Sequence, residues 1–351
     1  MKNTKQYYMK KMERLSMAKE FKNTTNNVTI VGAIKSHDLR KGVATDSKTN
    51  EKFNYINGKV TIKAGETREV DVKVYAKEFF TTKEGEKREN KKYQTFLGLI
   101  DEVYPTMAKV SEEDATKVSI WGNGNFTPQF KDNFYKSQSG EIVEMLDIDL
   151  GMGNFTIKEP NQVAPEQYKA EFTVTVFVHN VLEELDKEEQ PTGRAKVSAL
   201  VPVFNGKVFP MTLIAGKVVE ADGTEYDFGR DVLDGVQPGD TVQFWGDIAF
   251  EQTEYRVKRG GENSRSIGGR EVFDTKIKRV KEFQVTAGSL LDGDSAFILE
   301  DIQEANKQRT IEIENKRNEE KLPKSTRPVS GFGGGLGTPS MEKPKRPAPL
   351  F

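Results

Sequence analysis

Short segments rich in β-branched and aromatic residues recur along most of the chain, and they predict strands. Residues 28–34 and 172–178 are typical, and residues 69–75 alternate between apolar and polar positions with a period of two. Polar and Gly/Pro-containing segments separate these runs, as turns do. Further predicted strands lie at 59–62, 117–122, 145–150, 195–201, 207–214, 240–246 and 271–285.

The pattern changes at both ends of the chain. Residues 297–321 lack Gly and Pro and are rich in Glu, Lys, Ala and Gln, which predicts a helix. Residues 322–351 are rich in Pro and Gly and cannot bury enough apolar surface to offset their ordering entropy, so we expect a disordered tail. Residues 1–22 carry seven basic and two acidic residues and are predicted to be a basic arm or a short helix.

Both tryptophans occur in one repeated pattern. The first copy, KVSIWGNGNF, begins at Lys117, and the second, TVQFWGDIAF, begins at Thr241. In each copy a Val precedes an apolar residue by two positions, Trp-Gly follows, and a Phe lies four residues after the Gly. The two tryptophans are 124 positions apart, which is the length of a domain rather than of a solenoid repeat.

The pattern indicates a strand that bends. Alternation places Val242 and Phe244 on one face and Gln243 and Trp245 on the other. Gly246 removes a side chain where a strand coils sharply or another backbone approaches closely. Short strands that bend at such glycines favour small β-barrels.

The second copy and its surroundings carry a family resemblance. Residues 238–250 (PGDTVQFWGDIAF) and 273–280 (FDTKIKRV) resemble the last two strands of an oligonucleotide-binding (OB) fold, similar to those of replication protein A-like and bacterial-type single-stranded DNA-binding proteins. Residues 27–34 (NVTIVGAI) resemble the first strand of the latter. The layout over residues 25–290 resembles tandem-OB proteins encoded by phages of Gram-positive bacteria. The family's tail ends in an acidic tip, whereas this chain ends in the basic sequence KPKRPAPLF.

These patterns together predict a mainly β protein with two OB-fold-like small β-barrels in tandem, a C-terminal helix and a disordered Pro/Gly-rich tail. The expected boundaries are a basic arm at 1–22, a first barrel at 23–165, a second barrel at 166–290, a helix at 291–321 and a tail at 322–351.

The amino-acid composition excludes several classes of function. The chain has 53 Lys and Arg against 54 Asp and Glu, so an anionic polymer must be bound through local segregation of charge. The absence of Cys excludes disulfide scaffolds and thiol chemistry, and only two His are present. No apolar run is long enough to span a membrane, and no secretory signal is evident, so we expect a cytoplasmic protein, in the host cell if phage-encoded.

OB barrels bind single strands by stacking bases on aromatic rings and by placing Lys and Arg near phosphates. In the first repeat, the residues predicted to do so are Trp121 and those of a following polar loop, namely Phe126, Phe130, Lys131, Phe134, Tyr135 and Lys136. In the second repeat they are Trp245, Phe250 and those of a following basic hairpin, namely Tyr255, Arg256, Lys258, Arg259, Arg265 and Arg270. Packing in the barrels is the alternative for the aromatic residues, and a solvated loop is the alternative for the charged ones.

No catalytic motif occurs, so we expect a non-enzyme without cofactor or metal; Asp147 and Asp149 share a strand face but have no visible third ligand. The resemblance implies a protein that coats single-stranded DNA in phage replication or recombination, mostly independently of sequence. Leu350 and Phe351 are the predicted tail contacts for replication or recombination proteins. The alternatives are a β-rich virion protein and an RNA-binding OB protein.

Overall fold

The structure is a computed structural model, and it describes residues 21, 24–46, 49–82, 84–122, 129–137, 141–186, 188–203, 206–219, 222–258 and 273–321. For residues 136, 251–258, 276–280 and 319–321 the backbone alone is described.

The described part of the chain is mainly β, with a long C-terminal helix, as the sequence predicts. The strands of its first half are β1 (Asn26–His37), β2 (Arg40–Thr45), β3 (Lys52–Lys63), β4 (Glu69–Lys77), β5 (Phe79–Thr81), β6 (Lys87–Glu89), β7 (Lys117–Gly122), β8 (Gln129–Lys136), β9 (Ile142–Gly151) and β10 (Asn154–Lys158). Those of its second half are β11 (Lys169–Leu185), β12 (Pro191–Val203), β13 (Lys207–Ala215), β14 (Lys217–Val219), β15 (Glu225–Asp227), β16 (Thr241–Lys258) and β17 (Phe273–Leu291). The helices are α1 (Lys91–Ile100), α2 (Phe228–Gly235) and α3 (Leu299–Lys321).

Five strand positions in the first half form a closed circuit of hydrogen-bonded pairs, which we call ring 1. β1 pairs with β3, β3 with β4, and β4 runs parallel to β9. β9 continues into β10, which pairs with β7, and β7 pairs with β1. Helix α1 lies in the chain between β4 and β7.

The second half forms a circuit of the same kind, ring 2. β11 pairs with β12, β12 with β13, and β13 runs parallel to β17. β17 pairs with β16, which pairs with β11. Helix α2 lies between β13 and β16, so the order of strands, helix and parallel pair matches that of ring 1.

The two rings align position by position. Trp121 pairs with Thr29 in ring 1, and Trp245 pairs with Thr173 in ring 2, so β11 corresponds to β1 with an offset of 144 positions. The first strand has a register shift after Ile34 in ring 1 and after Val178 in ring 2, at equivalent positions. The Trp-Gly repeat of the sequence therefore marks a duplicated architecture.

The rings share one continuous mixed sheet because β1 also pairs with β11. Val28 lies opposite Phe172, and these two residues occupy equivalent positions of the two rings. With the offset of 144 positions, Asn26 corresponds to Ala170 and Ile30 corresponds to Val174. The pairs Asn26–Val174 and Ile30–Ala170 are therefore interchanged by the alignment, so the junction has a local pseudo-two-fold axis. Apolar residues of both rings belong to a single hydrophobic cluster.

The Trp-Gly strand bends for the reason its sequence suggests. Val242 and Phe244 are buried, whereas Trp245 on the opposite face is exposed. The register of β16 against β17 shifts between Trp245 and Gly246. A Cβ on Gly246 would lie 2.0 Å from the carbonyl oxygen of Gln284, so only glycine permits this approach.

Helix α3 joins the two halves. Phe297 and Ile302 pack against Phe177 and Val208 of ring 2. Further along, Arg309 forms a salt bridge with Asp132 of β8 at 2.5 Å. None of the helices in the described part of the chain is long and apolar enough to cross a membrane.

Candidate nucleic-acid interface

Three aromatic rings lie side by side on the outer face of ring 1. The centroids of Phe53 and Tyr55 on β3 are 6.2 Å apart, and those of Tyr55 and Tyr75 on β4 are 5.6 Å apart. Val60, Val72 and Val74, on the opposite face of the same two strands, are buried, so the alternation of β3 and β4 holds the three rings outside the core. We call Phe53, Tyr55 and Tyr75 the aromatic face.

The central ring of the aromatic face lies over a glycine of the neighbouring strand. Gly42 of β2 pairs with Tyr55, and a Cβ on Gly42 would lie 2.5 Å from the ring of Tyr55. Tyr75 completes the row and is 48% exposed. Because Gly42 has no side chain, the ring of Tyr55 can pack directly against β2.

Three lysines of the same two strands border the aromatic face. The ammonium group of Lys77 lies 4.1 Å from the ring centroid of Phe53, in the geometry of a cation–π contact. Lys59 and Lys73 are directly opposite each other across β3 and β4. Each lysine also has a carboxylate partner: Asp46 for Lys77, Asp71 for Lys59 and Asp149 for Lys73.

Two of these ion pairs, Lys59–Asp71 and Lys77–Asp46, are surface pairs, which contribute little to stability. The nitrogen–oxygen distance is 3.7 Å for both Lys59–Asp71 and Lys77–Asp46. Because exposed pairs are typically worth less than about 1 kcal/mol, their lysines can exchange a carboxylate for another anion at small cost.

The hairpin of β5 and β6 follows β4 directly and adds to this side of ring 1. Its strands pair through Phe79–Glu89 and Phe80–Arg88. The ammonium group of Lys87 lies 4.7 Å from the ring centroid of Phe79, and Phe80 is exposed. The hairpin is therefore a second group of aromatic and basic residues, which follows the aromatic face in the chain.

The two tryptophans lie elsewhere, on the outer face of the four adjacent strands β7, β1, β11 and β16. Trp121 is 47% exposed and Trp245 is 38% exposed, so both rings are open to solvent in part. They occupy equivalent positions on the two sides of the junction between the rings. The charged side chains near them are paired with one another, in Lys169–Glu171 and Arg68–Asp247.

Comparison with known families assigns the chain to one family. Residues 24–319, which include both rings and most of α3, match the YorF family. The chain belongs to the YorF family. A search of curated proteins finds no match.

In this YorF-family protein the segment predicted to be an aromatic loop of the first repeat is the strand β8, which pairs with β9. The ring of Phe130 is stacked on Phe209 of ring 2, with centroids 5.4 Å apart and planes 13° apart. Phe134 is half-buried, while Lys131 and Tyr135 are exposed. The side chain of Lys136 and all of Phe126 lie outside the described residues.

The predicted residues of the second repeat that the structure describes all lie on β16. Phe250 is 8% exposed and packs edge-on against Phe283, with the ammonium group of Lys281 4.8 Å from its centroid. Tyr255, Arg256 and Lys258 belong to β16, whose backbone alone is described there. The remaining predicted residues, Arg259, Arg265, Arg270, Leu350 and Phe351, lie outside the described part of the chain.

In this YorF-family protein β16 contacts β4, the strand that carries Tyr75 near its far end. β16 lies against β4 of ring 1, and Arg68, immediately before β4, forms a 3.1 Å salt bridge with Asp247 of β16. The strand that carries Tyr75 is thus adjacent to the strand that leads to the predicted basic hairpin.

The aromatic face is not apparent in the sequence. The alternation of residues 69–75 was visible, and so were Phe53 and Tyr55 at alternate positions. The sequence does not show that β3 pairs with β4 and β2. This pairing brings the three aromatic side chains together from two strands.

Proposed function

We propose that the protein binds single-stranded DNA, mostly independently of sequence, and that each ring is an OB-type barrel. In keeping with the resemblance of the sequence, the proposed role is to coat exposed strands in phage DNA replication or recombination.

The connectivity of the rings supports the OB assignment. In an OB fold five strands form a small Greek-key barrel, and ligands bind on the face of strands 2 and 3 and its neighbouring loops. Both rings have five strand positions, a parallel pair between the third and the fifth, and a helix before the fourth. In ring 1 the second and third strands are β3 and β4, which carry the aromatic face.

The row formed by Phe53, Tyr55 and Tyr75 is the observation that carries the proposal. Unpaired bases stack on aromatic side chains with a gain of roughly 1–3 kcal/mol per base, whatever the base, because every base has a π-face. The 5.6 and 6.2 Å spacings of the three rings offer adjacent platforms for successive bases.

The lysines beside the aromatic face supply the second contribution to binding, which is electrostatic attraction to phosphates. Phosphates that replace Asp46 and Asp71 as partners of the lysines release counterions from the strand, which makes affinity depend on salt. The net charge of −1 implies that this attraction is local.

The test is a fluorescence anisotropy titration of a labelled oligo-dT and of a duplex of equal length at several salt concentrations. We expect tighter binding of the single strand and an affinity that falls linearly with salt on a log–log plot. Equal or stronger binding of the duplex, or no binding in dilute buffer, contradicts the proposal. An oligo-rU of the same length distinguishes DNA from RNA as the preferred strand.

A further inference from the structure

We infer that the single strand occupies the outer face of ring 1 alone, and that ring 2 has lost the equivalent face and serves as a scaffold. This inference rests on the proposed function. It concerns which of two aligned rings holds the ligand, and therefore how many strands one chain binds.

The alignment of the rings identifies the positions to compare. Ala33 pairs with Lys63 in ring 1, and Phe177 pairs with Leu200 in ring 2, so β3 and β12 correspond through these residues. On this alignment the opposed pair Lys59–Lys73 becomes Lys196–Ile214. One of the two facing cations is therefore replaced by an apolar residue.

The aromatic rings are replaced as well. Tyr75 lies two residues after Lys73, and the residue two positions after Ile214 is Gly216. β12, the counterpart of the strand with Phe53 and Tyr55, contains no aromatic residue. Ring 2 therefore offers no stacking platform at this place.

In ring 2, an arginine that is paired with two carboxylates lies at Gly216, where ring 1 has the side chain of Tyr75. A Cβ on Gly216 would lie 3.4 Å from the side chain of Arg194, so the arginine lies across the glycine. Its guanidinium forms salt bridges with Glu184 at 2.6 Å and with Glu282 at 2.9 Å. Burial alone would lower the pKa of Arg194, but hydrogen bonds from its guanidinium to both carboxylates raise that pKa above its usual value.

The cations of this group are less available to a phosphate than those of ring 1. The guanidinium of Arg194 is held between two carboxylates, at 2.6 and 2.9 Å, whereas Lys59 of ring 1 has one carboxylate partner at 3.7 Å. Of the two facing lysines of ring 1, only Lys59 has a cationic counterpart in ring 2, Lys196, because Ile214 replaces Lys73.

Helix α3 covers the rest of the same face of ring 2. Ile302 and Ala305 of the helix, together with Phe297 just before it, pack with Val208 of β13 and Leu200 of β12. Lys207 at the start of β13 forms a 2.5 Å salt bridge with Glu312 of the helix. The chain's own C-terminal helix therefore blocks access to this end of ring 2.

The hairpin of β8 and β9 contacts the other face of β13, the face that Met211 and Leu213 share with Phe209. Phe130 stacks on Phe209 of β13, and Arg309 of α3 lies 5.4 Å from the ring of Phe209 while it binds Asp132 of β8. Ring 1 thus contributes a hairpin to the packing of ring 2, whereas on its own aromatic face Tyr75 is exposed and Phe53 and Tyr55 are half-buried.

The experiment uses matched variants of the full chain in anisotropy titrations with a dT oligomer of about eight nucleotides, a length within the range of one OB fold. Tyr75→Ala is expected to weaken binding by about 5- to 150-fold, the equivalent of one lost stack. Lys59→Ala is expected to weaken binding and to reduce the salt slope by about 0.7, whereas Lys196→Ala, the aligned lysine of ring 2, is expected to change neither. Tyr75 is exposed and both lysines lie on the surface, so these variants leave the core intact.

The stoichiometry is the second readout. With protein well above its dissociation constant, we expect saturation at one dT oligomer per chain. Two oligomers per chain, or equal effects of Lys59→Ala and Lys196→Ala, overturn the inference while leaving DNA binding in place. If the wild-type chain binds no oligomer, it is the proposed function that fails.

Discussion

At the scale of single residues, two glycines set the geometry of the fold and of the site. Gly246 allows β16 to approach β17 at the register shift, and Gly42 allows the ring of Tyr55 to lie on β2. The first role was predictable, because the glycine follows a strand-forming tryptophan in both repeats. The second was not, because Gly42 and Tyr55 meet only through the pairing of β2 with β3.

The variant Gly246→Ala tests the first role. The added methyl group would lie 2.0 Å from the carbonyl oxygen of Gln284, so we expect the free energy of unfolding to fall by at least about 1–3 kcal/mol. The measurement is a urea denaturation curve. Gly235→Ala is the matched control, because nothing lies within 4 Å of its added methyl group, and we expect little change. A stable Gly246→Ala protein would show that the strand can move aside.

The variant Gly42→Ala tests the second role. Its methyl group displaces the Tyr55 ring rather than a backbone, so we expect stability to change little and oligo-dT affinity to fall about fivefold or more. The control is Val43→Ala on the same strand, whose exposed side chain lies on the other face of β2. Equal affinities for both variants would remove Tyr55 from the site.

At the scale of elements, the predictions succeed where the segment pattern alone decides the structure. The segments at 69–75, 117–122 and 297–321 lie in β4, β7 and the region of α3, because period-two alternation and long runs of helix-forming residues are local signals. The polar segment of the first repeat was expected to be a loop, but it is β8. Its pairing with β9 and the contact of Phe130 with Phe209 are tertiary effects that a local pattern does not contain.

The bridge between α3 and β8 carries an element-scale prediction. The side chains of Arg309 and Asp132 are 12% and 8% exposed, so removing one partner leaves a nearly buried charge. We expect Arg309→Ala to lower the free energy of unfolding by roughly 3–5 kcal/mol. Arg230→Ala, which breaks an exposed pair with Asp234 within α2, is expected to cost less than about 1 kcal/mol. Similar losses for the two variants in denaturation curves would mean that α3 is not held by this bridge.

At the scale of the whole molecule, the sequence repeat predicted a duplicated architecture. It did not predict that the two copies share a sheet. The pairing of β1 with β11 joins the two rings, and their apolar residues form one cluster. The sequence also did not indicate that the two copies differ on their outer faces. That difference depends on the contact of Arg194 with Gly216 and, separately, on the packing of α3 against Val208, both of which are tertiary contacts.

The shared sheet and core predict cooperative unfolding. Because the strand pair β1–β11 and the common cluster couple the rings, we expect a single thermal transition with equal calorimetric and van't Hoff enthalpies. Differential scanning calorimetry of the full chain measures both. Two resolved transitions would show that the rings unfold as independent units.

The most direct test of DNA binding on the aromatic face is ultraviolet cross-linking of the full chain to oligo-dT, followed by mass spectrometry of the adducts. The account predicts nucleotide adducts on the peptides that carry Phe53, Tyr55 and Tyr75, and none on those that carry Arg194 and Gly216. Adducts confined to ring 2, or found on both rings with equal yield, would contradict it.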